Sequence, residues 1–303
     1  MFLIGDIGGT NARLGYSEDG ETLQGITVFS TARSSSLSEL IVAFQEKHAI
    51  DSFAKACIAI AAPVHQGRAS LTNGSWIARE AEVSFPLKLV NDLEAAARGL
   101  IAVPSKERII IQEGGQQGDL SLVIGIGTGL GMAILDPTSQ KVYSTEAGHS
   151  NLSPFSPSAL STWEILWRKK GRVRVEDVVS GTGLENLLDI YVSEELHEAD
   201  RGKAAGQILL EEKYSGCSDA LDFFISSLGS FLGDQIVAHN ASSVFLCGGV
   251  AQKIERLLSW DYFWDHLGNK SPMNRIVNNA QIELISSSQL GLLGALNIAK
   301  SFT

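Results

Sequence analysis

Short apolar runs alternate with helical stripes along this chain, and the alternation occurs twice. Residues 1–4 and 12–17 read as strands, and 24–29 as a third. Ser36-Leu37-Ser38-Glu39 is a capping box, and Leu37, Leu40, Ile41 and Phe44 then recur on one helical face. Residues 57–61 are wholly apolar and stop before Pro63, the pattern of a buried strand. Residues 87–90 read as another strand and 93–100 as a helix, so the first round is βββαβα. A second round begins near Ile109, with strands at 109–112, 122–126 and 131–135. Helices follow, then a strand at 244–247 and a helix after Gly249. Residues 219–238 are apolar on nearly every face and predict a core helix. A strand at 282–285 and a helix at 291–300 close the pattern, while 194–216 reads as surface helix and loop.

Two such rounds in 303 residues give two domains, each large enough for its own core. The expected division is residues 1–111, completed by a last helix at 290–303, against 112–289. No Pro-rich linker separates them, so the halves are expected to pack directly with a cleft between. A net charge of −10 removes the general attraction on which nucleic-acid binders rely. No apolar run approaches the roughly 20 residues of a membrane span. The start of the chain carries no basic segment of a signal peptide. Cys57, Cys217 and Cys247 are odd in number and widely spaced, which suits buried thiols in a reducing cytoplasm and no CxxC zinc site.

Candidate chemistry starts at two glycine-rich segments, Gly5-Asp6-Ile7-Gly8-Gly9-Thr10-Asn11 and Gly125-Ile126-Gly127-Thr128-Gly129-Leu130-Gly131. Each joins two apolar runs as a hairpin, with glycine expected to supply left-handed backbone. Bare N–H groups in such turns can receive an anion. The P-loop pattern is absent, and the second segment precedes a strand, which disqualifies it as a dinucleotide fingerprint. No lysine occurs before Lys47 or between Glu113 and Gln140, and Arg13 is the one basic residue close to either turn. Phosphates here must therefore be held by backbone, the Thr10 and Thr128 hydroxyls and a divalent metal. Asp6 is the natural partner for Mg²⁺, through water. Two ordinary glycine hairpins remain the alternative.

Asn91-Asp92 ends an apolar strand and opens a helix. Asp92 could cap that helix, or act as a general base on an attacking hydroxyl. In Glu146-Ala147-Gly148-His149 a carboxylate and an imidazole flank a small pair and can turn toward one polyol; a surface histidine is the plainer reading. Glu176 precedes Ser180-Gly181-Thr182-Gly183 and by itself suits a solvated face. Asn73 lies in a turn, and Cys247-Gly248-Gly249-Val250 closes a strand and opens a helix.

As a set, these segments resemble bacterial glucokinase, of the zinc-free group of the hexokinase–actin superfold. The resemblance rests on Asp6-x-Gly8-Gly9-Thr10-Asn11-x-Arg13, Val90-Asn91-Asp92-Leu93-Glu94-Ala95, Gly127-Thr128-Gly129-Leu130-Gly131, Glu146-x-Gly148-His149 and Gly248-Gly249-Val250. It extends through Leu71-Thr72-Asn73, residues 179–184 and residues 291–295. It implies an α/β fold of two ribonuclease-H-like domains, mixed sheets flanked by helices, and ATP-dependent phosphorylation of D-glucose at O6. On the resemblance, residues 6–11, Arg13 and residues 127–131 grip the β- and γ-phosphates, and Asp6 handles Mg²⁺. Gly248, Gly249 and Gly294 flank the adenosine. Asn73, Asn91, Glu146, His149 and Glu176 bind sugar hydroxyls, and Asp92 is the base on the 6-hydroxyl. Ala147 departs from the family's second glycine in Glu-Gly-Gly-His, and its methyl could narrow that turn. The zinc-binding cysteine cluster and DNA-binding extension of the related repressors are missing from the pattern. A homodimer is expected. The rival readings are a kinase for another hexose or amino sugar, and a non-catalytic sugar or ATP sensor on the same fold.

Overall fold

The protein is described here by a computed structural model covering residues 1–71, 76–114 and 120–302. In chain order the strands and helices of the first half are β1 (Phe2–Ile7), β2 (Asn11–Ser17), β3 (Gln24–Ser30), α1 (Leu37–His48), β4 (Lys55–Ile60), β5 (Val64–His65), β6 (Arg68–Ser70), β7 (Ile77–Arg79), β8 (Leu87–Asn91) and α2 (Asp92–Gly99). Then come β9 (Arg108–Gln112), β10 (Leu120–Ile126), β11 (Leu130–Asp136), β12 (Lys141–Thr145), α3 (Leu160–Lys170), α4 (Gly181–Tyr191), α5 (Ala205–Leu210) and α6 (Gly216–His239). The chain closes with β13 (Ala241–Cys247), α7 (Gly249–Lys253), α8 (Asp261–Gly268), α9 (Asn274–Asn279), β14 (Gln281–Ile285) and α10 (Leu290–Ser301).

Contacts divide the chain into two compact units. One comprises Met1–Ser105, Val142–Ser144 and Ser287–Thr303, the other Lys106–Lys141 and Thr145–Ser286. β9 pairs with β14, so it belongs to the second unit, and the division falls before that strand instead of after Ile111.

The first unit's main sheet has the order β3-β2-β1-β4-β8. β2 is antiparallel to β1, while β1, β4 and β8 are parallel. Period-2 alternation sorts the side chains between the two faces. Leu3 and Ile7 of β1 join Ile58 and Ile60 of β4 against Leu40 and Phe44 of α1. Ile4, Cys57, Ala59 and Val90 face Ala95 of α2 and Leu292, Ala295 and Leu296 of α10. The Cys57 thiol, buried on that face, is pushed up to about 12 by desolvation. α1 starts as the sequence indicates, the Ser36 hydroxyl accepting from Glu39 N at 3.1 Å. The Glu39 carboxylate returns to Ser35 N at 2.7 Å rather than to the cap residue. β5, β6 and β7 form a small separate sheet that the apolar pattern does not show, since these strands are two or three residues long.

The second sheet has the order β12-β11-β10-β13-β14-β9. Its first five strands repeat the order of the first sheet, with β10 antiparallel to β11 and parallel to β13. Both units are thus ribonuclease-H-like, and the fold is the two-domain α/β class of the hexokinases. α6 runs 24 residues, and Leu221, Phe224, Leu228 and Leu232 along it are fully buried in this unit's core. Residues 194–216 are less superficial than their polarity indicates. Asp200 is buried there, bonded to Lys203 at 2.6 Å and also to Lys213 and Tyr214, which hold its carboxyl well below the usual range.

Candidate active site

The first glycine turn links β1 to β2. Gly8 N donates to Asn11 O at 2.9 Å, and Thr31 ties the turn down from below through Gly8 O and Thr10 O. The second turn links β10 to β11 and closes with Gly127 N on Gly129 O at 3.0 Å. Neither uses left-handed glycine: among the described residues the positive-φ glycines are Gly20, Gly25, Gly67, Gly171, Gly202 and Gly248. Glycine is needed here for bare backbone instead. A Cβ on Gly127 would meet nothing within 4 Å, and on Gly8 only Asn11 O at 3.6 Å. Gly9 is part-exposed and Thr10, Asn11 and Thr128 are exposed, so both turns leave backbone and hydroxyls open to a ligand. Gly131 lies within β11, opposite Gly125 of β10.

Asp6 shares the face of Ile4, the face that α2 and α10 cover. Its carboxylate carbon lies 3.0 Å from where a Cβ on Gly291 would stand, next to the first turn of α10. Burial pushes its carboxyl up, and Arg13, 3.9 Å away, opposes the shift. Arg13 is also anchored to Ser288 O at 3.2 Å. β1, β4 and β8 run in register, Asp6 beside Ala59 and Ala59 beside Val90. Asp92 follows two residues later, so Asp6 and Asp92 both stand at C-terminal ends of parallel strands, where open α/β sheets carry their ligand sites. The cap of α2 is Asn91, not Asp92. Asn91 Oδ1 accepts from Leu93 N at 2.9 Å and Glu94 N at 3.3 Å, and Nδ2 donates to Ala62 O at 3.3 Å. Asp92 is the first helical residue, its Oδ1 3.0 Å from Leu93 N.

The second unit gathers Glu146, His149 and Glu176. Residues 147–149 form a single 3₁₀ turn after β12, which raises Glu146 and His149 from the same side. His149 Nε2 is 3.9 Å from Glu146 Oε2, and Nδ1 is 3.3 Å from Glu176 Oε1. The other oxygen, Oε2, would lie 2.9 Å from a Cβ on Gly129, so Glu176 bridges the imidazole and the second glycine turn. That turn is itself pinned by the start of α4, with Gly181 N on Gly127 O at 2.7 Å and Thr182 N on Thr128 O at 3.1 Å. Ala147 packs its methyl on the unit's core. The residue that must be glycine is Gly148, where a Cβ would stand 2.0 Å from Leu130 O.

Motif reading missed Arg174. Its Nη1 is 2.7 Å from Glu176 Oε1 and 3.1 Å from His149 Nδ1, and its Nη2 binds Asp177 Oδ1 at 2.9 Å. Burial alone would raise the Asp177 carboxyl, but Arg174 and Lys170 carry it below the usual range. Arg174 caps the 3₁₀ turn Val175–Asp177, and no local pattern in the sequence signals its contact with His149.

Gly248 closes β13 at φ +98°, a conformation glycine takes without strain, and a Cβ there would stand 2.5 Å from Ile126 O. Gly249 is exposed with open space above it, so this corner presents bare backbone. Gly294 is buried where α10 crosses α2, a Cβ on it standing 1.6 Å from Ala95 O, so helix packing requires glycine there. Asn73 lies outside the described residues.

Among the described residues no three His, Cys, Asp or Glu side chains cluster as a complete metal cage. A single carboxylate such as Asp6 fits a Mg²⁺ ion that keeps its water and takes phosphate oxygens as further ligands. No described helix is long and apolar enough to cross a membrane.

The family model described as Glucokinase matches residues 3–302. The glucokinase of Chromohalobacter salexigens is 32% identical over 97% of this chain and 95% of its own. That of Zymomonas mobilis is 33% identical over 96% and 94%. The crystal structure of a glucokinase from an Antarctic psychrotroph matches with a TM-score of 0.81 at 26% identity, covering 99% of each chain. Sequence likeness from end to end, on a fold that places both glycine turns and the paired carboxylates at strand ends, makes this chain a member of the glucokinase family.

Proposed function

We propose that this chain transfers the γ-phosphoryl group of ATP to O6 of D-glucose, with Asp92 as the general base. The observation that carries the reading is Glu176, one oxygen on His149 and the other over Gly129. A sugar-binding carboxylate and a phosphate-binding turn are thereby built as one piece. Glu146, His149 and Glu176 hold ring hydroxyls, the carboxylates accepting and the imidazole donating. Asn91 keeps its cap through Oδ1 and offers Nδ2, whose contact with Ala62 O is long. Asn73 is assigned to the sugar on the sequence resemblance alone.

The N–H groups of the two turns, with Thr10 and Thr128, hold the β- and γ-phosphates, and Gly248 and Gly249 leave room for the adenosine. Asp6, with Arg13 beside it, would hold Mg²⁺ through water, and that ion would supply neutralising charge to the phosphates. In-line transfer depends mainly on alignment of the hydroxyl with the phosphorus, so positioning carries most of the catalysis. Asp92 takes the proton of the 6-hydroxyl as the new P–O bond forms.

The two compact units are, on this reading, the two catalytic domains. A homodimer and a cytoplasmic location belong to the same proposal. The three cysteines, all buried, agree with a reducing compartment, and the mass in solution tests the dimer. A coupled assay with MgATP over glucose, mannose, fructose and N-acetylglucosamine tests the activity. Turnover highest on glucose is expected, and nucleotide binding without turnover on any sugar would replace the kinase with a sensor.

A further inference from the structure

Arg174 contacts the imidazole to which the proposed function gives the sugar. Nδ1 of His149 has two close polar neighbours of opposite character, Arg174 Nη1 at 3.1 Å in hydrogen-bonding geometry and Glu176 Oε1 at 3.3 Å. A guanidinium can only donate, whereas a carboxylate can only accept. The proton on the imidazole is therefore decided by which neighbour wins. Arg174 has the better position. The same Nη1 also binds Glu176 Oε1 at 2.7 Å, so it satisfies the carboxylate oxygen while presenting a donor to the ring. Its other edge is locked by Asp177, with Nε at 3.1 Å and Nη2 at 2.9 Å, and Asp177 is buried.

We infer that Arg174 is a positioning residue that fixes His149 as the tautomer protonated at Nε2, and thereby sets the polarity of the sugar site. The inference rests on the proposed role of His149 with sugar, and it specifies which atom donates. With Nδ1 accepting from Arg174, Nε2 carries the hydrogen and points it toward the side of Glu146 Oε2. That oxygen, at 3.9 Å, is too far for a direct bond. A sugar hydroxyl between them accepts from Nε2–H and donates to Glu146, so both its capacities are used. Without Arg174, Nδ1 would keep its proton and donate to Glu176. Nε2 and Glu146 would then both be acceptors facing a hydroxyl with one hydrogen, and one hydrogen bond would be lost. The remaining groups around the ring do not compete for Nδ1: Arg172 binds the His149 carbonyl, and Lys170 binds Asp177.

The test reads the tautomer directly, by imidazole ¹⁵N–¹H correlation on the ligand-free ¹⁵N-labelled protein at alkaline pH, with His149→Gln to assign the ring. Arg174→Met alone would strand the buried Asp177, so the informative variant is Arg174→Met with Asp177→Asn, and Asp177→Asn alone is the control. In wild type and control, Nδ1 should resonate as an unprotonated nitrogen and Nε2 as a protonated one; in the double variant the two should exchange. KM for glucose should rise about tenfold, as expected for one lost hydrogen bond, with kcat within about twofold. A proton on Nδ1 in wild type overturns the inference. So does a double variant that keeps the wild-type tautomer, or that exchanges it with KM unmoved. Absence of turnover on every hexose would instead overturn the proposed function, because the resonance measurement uses no sugar.

Discussion

Gly129 lies so close beneath Glu176 that a Cβ on it would stand 2.9 Å from the carboxylate oxygen Oε2. The backbone of the second glycine turn is therefore part of what holds the Glu176 side chain in place. The clash is with the end of a flexible side chain, so an added methyl should move Glu176 and leave the fold intact. We expect Gly129→Ala to keep its melting temperature within about 2 °C of wild type, the usual outcome for a substitution outside the core. Its KM for glucose should rise by about tenfold, the loss of one hydrogen bond. Unchanged glucose kinetics in a well-folded Gly129→Ala protein would separate the turn from the sugar site.

Because Asn91 caps α2, Asp92 can be altered without removing the cap. Asp92→Asn should lower kcat by roughly 10²–10⁴-fold, the range for a general base, with KM for glucose close to wild type. Steady-state kinetics check both numbers. A loss of only a few-fold would mean that another group takes the proton.

Asp6 is a carboxylate that the fold disfavours in its charged form. Its folded pKa lies above the unfolded value of about 3.9, so the folded state binds the proton more readily. The stabilising contribution is present below the unfolded pKa and is lost as pH rises through the folded one. At neutral pH the charged group is a penalty, which Asp6→Asn removes. That variant should melt higher than wild type at pH 7.5 and match it at acid pH, while losing MgATP-dependent turnover. The pairing with Arg13, whose guanidinium is exposed and 3.9 Å away, is worth only about 0–1 kcal/mol and should not reverse the sign. An Asn variant less stable at neutral pH would be the contrary result.

Gly294 and Gly99 let α10 and α2 cross at backbone contact, a Cβ on Gly99 standing 2.3 Å from Leu290 O. The obstacle at Gly294 is the carbonyl of Ala95, which cannot rotate away as a side chain can. Gly294→Ala should destabilise the first unit by about 3 kcal/mol, the upper part of the usual range for overpacking. Urea unfolding followed by far-ultraviolet circular dichroism measures this. If binding to adenosine were the reason for the glycine, nucleotide affinity would fall with stability unchanged.

Both glycine turns, the two rounds of strands and the cap of α1 could be read from the chain because they depend on neighbours a few residues apart. Continuous apolar runs made β1, β4, β8, β10 and β13 visible, helical spacing did the same for α1, and apolar residues on nearly every face did so for α6. The candidate carboxylates were also legible, since a charge at the end of an apolar strand is conspicuous. Other features depend on fine backbone geometry or on segments remote in sequence. That Asn91 rather than Asp92 caps α2 is a matter of backbone geometry at one residue, and both side chains are competent. That Gly294 serves a helix crossing depends on Ala95, which belongs to another helix.

The sequence by itself determined the elements, the repeat and the chemical inventory: two glycine turns poor in lysine, Asp6 and Asp92, and the triad of Glu146, His149 and Glu176. Only the tertiary structure decided how those groups are oriented. It brought Glu176 over Gly129, and it set Arg174 against His149 from 25 positions away. Local pattern records which face a residue occupies, whereas hydrogen-bond direction is settled by the partner that packing brings to it.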